Sequence, residues 1–99
     1  MIKILEIIEV RSVKKNKHNI VDFIDKLFGD QITDRSVAIK IYSHSTIETD
    51  YSIHLYYEKG SGENLGAKLG YKLTEDLKEF GLVNHNIWID KFSGEKNEK

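Results

Sequence analysis

The sequence predicts an α+β protein of the ferredoxin-like βαββαβ plan: a four-stranded antiparallel sheet with two helices on one face, a plan that also builds dimeric α+β barrels. Three observations lead there. Two segments carry apolar residues at helical spacing, and four read as strands. Their order is strand, helix, strand, strand, helix, strand. With right-handed crossovers the first and third strands fall in the centre of the sheet, with the hairpin and the last strand supplying the edges.

Ile2 to Val10 is rich in β-branched residues and should be a strand. Ile2, Ile4, Ile8 and Val10 share one parity, Leu5 and Ile7 the other, so both faces are apolar and both should be covered. The pattern leaves the parity open. Placing Ile4 and Ile8 in the core buries Glu6, whereas the opposite choice leaves Glu6 in the middle of the uncovered face. Arg11 to Lys17 reads as a basic connection. Ile20, Val21, Ile24, Leu27 and Phe28 then have helical spacing, with Asn16 or Asn19 as caps and Gly29 as the stop.

Val37 to Ser45 and Ser52 to Glu58 both alternate, and the link STIETD between them implies an antiparallel hairpin. A loop of three or five residues brings Val37, Ile39 and Ile41 onto the same face as Ile53, Leu55 and Tyr57, because an even loop without a bulge would mix the two sets. The glycine-rich Gly60-Ser61-Gly62-Glu63-Asn64-Leu65-Gly66 opens the second helix. Leu65, Leu69, Leu73, Leu77 and Phe80 form its apolar stripe, capped by Asn64 or Ser61. Gly81 suits a left-handed closing residue. Gly66 and Gly70 lie at the edge of the stripe, where each costs up to ~1 kcal/mol relative to alanine. Close approach of a neighbouring helix or strand is the physical reason to accept that cost. Val83, His85, Ile87 and Ile89 then alternate with Asn84, Asn86, Trp88 and Asp90 as the last strand.

Residues 1–92 are expected to form a single α+β domain and 93–99 a flexible C-terminal tail. The chain has 39% hydrophobic and 31% charged residues, as an ordinary globule does, and its net charge of −1 gives no electrostatic case for nucleic acid or an anionic membrane. There is no cysteine, which removes disulfides and thiolate chemistry and fits a cytoplasmic protein. Glu6 and Glu9 interrupt the apolar start, so neither a signal peptide nor a membrane span is read there.

Two helices cover one side of the sheet. The other should display Tyr42, His44, His54, Tyr56, Asn84, Asn86 and Trp88, a patch too apolar to remain wet, and a second copy packed sheet to sheet would cover it. A homodimer is therefore expected. Tyr42, His44, His54, Tyr56 and Trp88 are the candidate ligand-binding residues, and His54 is the candidate catalytic base. His44 and His54 are expected as diagonal neighbours that, with Glu6 or Asp50, have the donor types of a metal site. No HExxH-type spacing supports one, and no metal or cofactor is called for. His18 reads as a surface residue, and His85 as a core-edge histidine with one satisfied hydrogen bond. The Gly60–Gly66 stretch with Lys59 has the look of an anion-binding helix entry but lacks both the dinucleotide fingerprint and GK[ST].

The leading expectation is a non-catalytic, homodimeric small-molecule-binding or regulatory module using the open sheet face. The alternatives are a cofactor-free enzyme of the dimeric α+β barrel type with a histidine base, and an RNA-binding sheet that stacks bases on Tyr42 and Tyr56. The last lacks the basic residues such sheets carry.

Overall fold

A computed structural model describes residues 2–13, 17–26, 37–59 and 65–91. The elements run β1 (Ile2–Ser12), α1 (Lys17–Lys26), β2 (Ala38–Ser43), β3 (Asp50–Lys59), α2 (Leu65–Leu77) and β4 (Gly81–Ile89). All neighbouring strands are antiparallel, in the order β2-β3-β1-β4. β1 and β3 are central, as the element order requires.

The parity of β1 is now settled. Ile4, Glu6, Ile8, Val10 and Ser12 are buried, while Leu5 and Ile7 lie on the opposite, less covered face. Opposite Ile8 stand Ile53 on β3 and His85 on β4, so the buried set of β1 shares a face with Ile53, Leu55 and Tyr57. Leu73 and Leu77 of α2 and Ile20 of α1 close the core against that face. Burying each of these aliphatic side chains contributes roughly 1.5–3 kcal/mol. Phe23 of α1 meets Phe80 with ring centroids 5.7 Å apart, which ties the two helical segments together on the same side.

The β2–β3 register pairs Ile41 with Ile53 and Ile39 with Leu55, so the aliphatic sets do share a face. Ser43↔Tyr51 is the last registered pair, and a further bond from His44 N–H to Asp50 O (2.9 Å) leaves the five residues 45–49 in the turn. The odd count follows from the period of two.

Three local expectations are corrected. Arg11 and Ser12 belong to β1 rather than to a connection, because they pair with Leu82 and Gly81. The stripe of α2 ends at Leu77. Phe80 follows in a tight turn whose N–H bonds Leu77 O at 2.9 Å. Gly81 does not close the helix with a left-handed backbone; it starts β4. A Cβ there would lie 2.1 Å from Arg11 O, so what demands glycine is the approach of the β1 main chain. The anion-binding expectation for the glycine-rich entry falls on residues 60–64, outside the described ones, as do Leu27, Phe28 and the tail expected at 93–99.

Candidate functional site

The open face has a regular layout that follows from the three registers. Across the sheet from β2 to β4, one row is Ala38, Tyr56, Leu5 and Trp88. The next is Lys40, His54, Ile7 and Asn86, and the third Tyr42, Ser52, Glu9 and Asn84. Tyr42, His54 and Tyr56 form an aromatic ladder on β2 and β3. Their ring centroids are 4.8 Å apart for Tyr42–His54 and 6.3 Å for His54–Tyr56. Trp88 shares the face but stands two strands away from Tyr56, about 10 Å at ordinary strand spacing, with Leu5 between them. It is 59% exposed. Three of the five candidate residues therefore make one cluster, with Trp88 apart from it.

The fifth, His44, sits beyond the end of β2. Its Nδ1 accepts the backbone N–H groups of Thr46 and Ile47, both at 3.1 Å, so the imidazole acts as a cap on the hairpin turn. His44 and His54 are not diagonal neighbours as expected: His54 stands opposite Lys40, and the Tyr42–Ser52 row separates the two histidines. The histidine and carboxylate donor types noted in the sequence, for which no metal is called for, do not come together either. Glu6 is on the other face of the sheet, and Asp50 is held by Arg11 at 3.2 Å. Among the described residues no three His, Asp or Glu side chains are grouped to hold a metal ion.

Beside the ladder, at the hairpin end of the sheet, lies a concavity of about 360 Å³. Tyr42 and His44 line it, together with Asn84, which the sequence places on this face, and with Glu9, Arg11 and Leu82, which sequence reasoning missed. The signal was present in the period of two. Once Leu5 and Ile7 are assigned to this face, Glu9 and Arg11 follow on the same side. His54, Tyr56 and Trp88 do not line the concavity. His54 Nε2 instead meets Ser52 Oγ at 3.0 Å.

A second polar group lies on the covered face. Glu6 is 1% exposed. Its Oε1 accepts the hydroxyl of Tyr57 at 2.7 Å, and its Oε2 meets His85 Nε2 at 2.5 Å. The carboxylate reaches α2 so closely that a Cβ on Gly70 would lie 1.9 Å from Oε2. The edge-of-stripe glycine thus exists to admit a carboxylate from β1. Burial, the hydrogen bond to Glu6 and the carboxylate charge together push the Tyr57 phenol far above its ordinary range. His85 has the core-edge position that its parity predicts and, among the described residues, one hydrogen bond, to Glu6.

The chain has the ferredoxin-like α+β fold: one four-stranded antiparallel sheet in β-α-β-β-α-β order with two helices. No protein-family model matches it, and neither does any curated protein. Among solved structures it is similar to a crystal structure from Bordetella bronchiseptica named "Putative antibiotic biosynthesis monooxygenase", with a TM-score of 0.63 and 8% identity over 94% of this chain and 99% of that one. At that identity the likeness establishes the fold alone. Among the described residues no helix is long and apolar enough to cross a membrane.

Proposed function

We propose that the protein is a homodimeric small-molecule-binding module that holds its ligand between the open sheet face and a second copy. The observation that carries this reading is the set of uncovered apolar side chains: Tyr42, Tyr56 and Trp88 are exposed on a sheet face whose middle is Leu5 and Ile7. A face of this size and character is stabilised by removal from water, at roughly 25 cal/mol per Å². A two-fold partner offers the same surface in return. Lys40 and Glu9, of opposite sign on the same face, supply charges that such a copy can set against each other. The concavity beside Tyr42 has the size of a small organic ligand, with Asn84, Glu9 and Arg11 as orienting polar groups.

On this face the geometry supports binding more than chemistry. His54, the candidate base, is set between two tyrosine rings and meets a serine hydroxyl, and no carboxylate among the described residues bonds the ring to orient it. The RNA-binding reading has little support. Among the described strand residues of the face the cations are Lys3, Lys40 and Arg11; Glu9 and Glu58 share the face with them, and Arg11 is already paired with Asp50.

Light scattering across micromolar concentrations tests the proposal. Wild type should run at the dimer mass and Trp88→Arg at the monomer mass. The emission of Trp88, the sole tryptophan, should shift to the blue as the concentration rises. A wild-type monomer at every concentration sinks it.

A further inference from the structure

We propose that Glu6 and His85 form a proton-transfer site on the helix-covered side of the sheet, with His85 Nδ1 as general base toward a small, neutral, enolisable ketone. The inference is independent of the open face, and it places the base at His85 rather than His54. Four observations carry it.

The first is the arrangement of the pair. Glu6 Oε2 engages His85 Nε2, and Tyr57 holds the other carboxylate oxygen, so the carboxylate is fixed and fixes the imidazole in turn. With Nε2 donating to Glu6, the lone pair of the neutral ring is at Nδ1. The second is that Nδ1 has no hydrogen-bond partner among the described residues, in a side chain that is 23% exposed. Third, the chain accepts two separate costs to put a carboxylate there: desolvation of Glu6, and a helix glycine at Gly70 where any larger residue would strike it. A leucine at position 6 would avoid the desolvation, and orienting His85 is a reason to keep the carboxylate. Fourth, His85 is continuous with an uncovered apolar strip. Ile87 and Ile89 follow it at the same parity on β4 and are 55% and 53% exposed.

These observations also define the substrate class. A buried carboxylate repels an anion over short range, so the ligand is neutral. The isoleucine strip favours an apolar body. An imidazole can deprotonate carbon only where a carbonyl takes up the charge. In the step, the C–H bond next to the carbonyl breaks and an N–H bond forms at Nδ1. In a β,γ-unsaturated ketone the electron pair moves to the carbonyl oxygen, giving a dienolate conjugated through the β,γ double bond already present, and Glu6 faces the imidazolium so formed. Return of that proton to the γ-carbon gives the conjugated ketone. Nothing is oxidised or reduced.

The test uses a β,γ-unsaturated cyclohexenone as probe and follows its conversion to the conjugated isomer by ultraviolet absorbance. Wild type should exceed His85→Asn on the order of a hundredfold, the usual worth of a general base, with both proteins giving the same circular dichroism. Equal rates in the two folded proteins overturn the proposal. Glu6 is a positioning residue, and its readout is the ring tautomer by nitrogen-correlated NMR of His85. The wild type should show the proton on Nε2 and Glu6→Gln a mixture. A wild-type proton on Nδ1 overturns the assignment irrespective of the probe. A monomeric wild type, which sinks the open-face reading, leaves both readouts intact.

Discussion

Replacing Gly70 with alanine separates two opposing effects that differ in sign. On helix propensity alone the change stabilises α2 by up to ~1 kcal/mol. The structure predicts the reverse. The new Cβ would lie 1.9, 2.4 and 2.7 Å from Oε2, Cδ and Oε1 of Glu6, where ordinary contact begins near 3.4 Å. The carboxylate must therefore retreat by about 1.5 Å, the difference between 3.4 and 1.9 Å. An exposed glutamate would swing away at little cost, but Glu6 is buried and bonded through both oxygens. A retreat of that length breaks or badly stretches both bonds. Each hydrogen bond to a charged group contributes ~1.5–3 kcal/mol, so losing both costs ~3–6 kcal/mol before the alanine gain. A net loss of ~2–5 kcal/mol follows, a large share of a small domain's stability. Urea titration monitored by far-ultraviolet circular dichroism measures it, with a constant m-value as the control for two-state behaviour. The double variant Glu6→Ala/Gly70→Ala should be more stable than the two single losses combined, since alanine at position 6 makes room for the new methyl. If Gly70→Ala instead leaves stability unchanged or raises it, Glu6 does not press on α2 and the account of the buried cluster fails.

Three other perturbations have definite outcomes. Tyr57→Phe leaves Glu6 Oε1 without its donor and should cost ~1.5–3 kcal/mol by the same titration. It should also change the alkaline limb of stability. The phenol ionises near pH 10 in an unfolded chain and well above that in the fold. The folded state therefore keeps a proton that the unfolded state releases, so its contribution is complete below pH 10 and declines as pH rises beyond it; the phenylalanine variant should lack this part of the slope. Gly81→Ala drives a Cβ to 2.1 Å from Arg11 O, a main-chain atom that cannot rotate away. Thermal melting should show a loss of roughly 1–3 kcal/mol, and hydrogen exchange should show weakened protection where Ser12 pairs with Gly81. His44→Ala removes an exposed turn cap and should cost no more than ~1 kcal/mol, with His44→Asn recovering part of it through an equivalent local acceptor.

Periodicity decided most of the fold. Ile53, Leu55 and Tyr57 alternate with Ser52, His54 and Tyr56, and a hairpin with an odd turn can bury only one of those sets. Leu69, Leu73 and Leu77 recur at helical spacing, so their helix faces the sheet. These are local properties of the chain, and the open-face rows follow from them once strand order is known. The parity of β1 could not be read in the same way, since both of its faces are apolar. Only Tyr57 and His85, brought to Glu6 from β3 and β4 across 51 and 79 residues of chain, show why the face carrying a glutamate is the buried one. The same holds for Gly70 and Gly81. Sequence marks each as a glycine in a costly or ambiguous place, but what touches it belongs to a different strand. His44 strayed from its expected place because the ends of a hairpin answer to turn hydrogen bonds rather than to strand alternation. The pattern of side chains along the chain thus determined which elements form and which way most of them face. The tertiary structure decided which polar groups meet, because a hydrogen bond between distant segments leaves no period in the sequence.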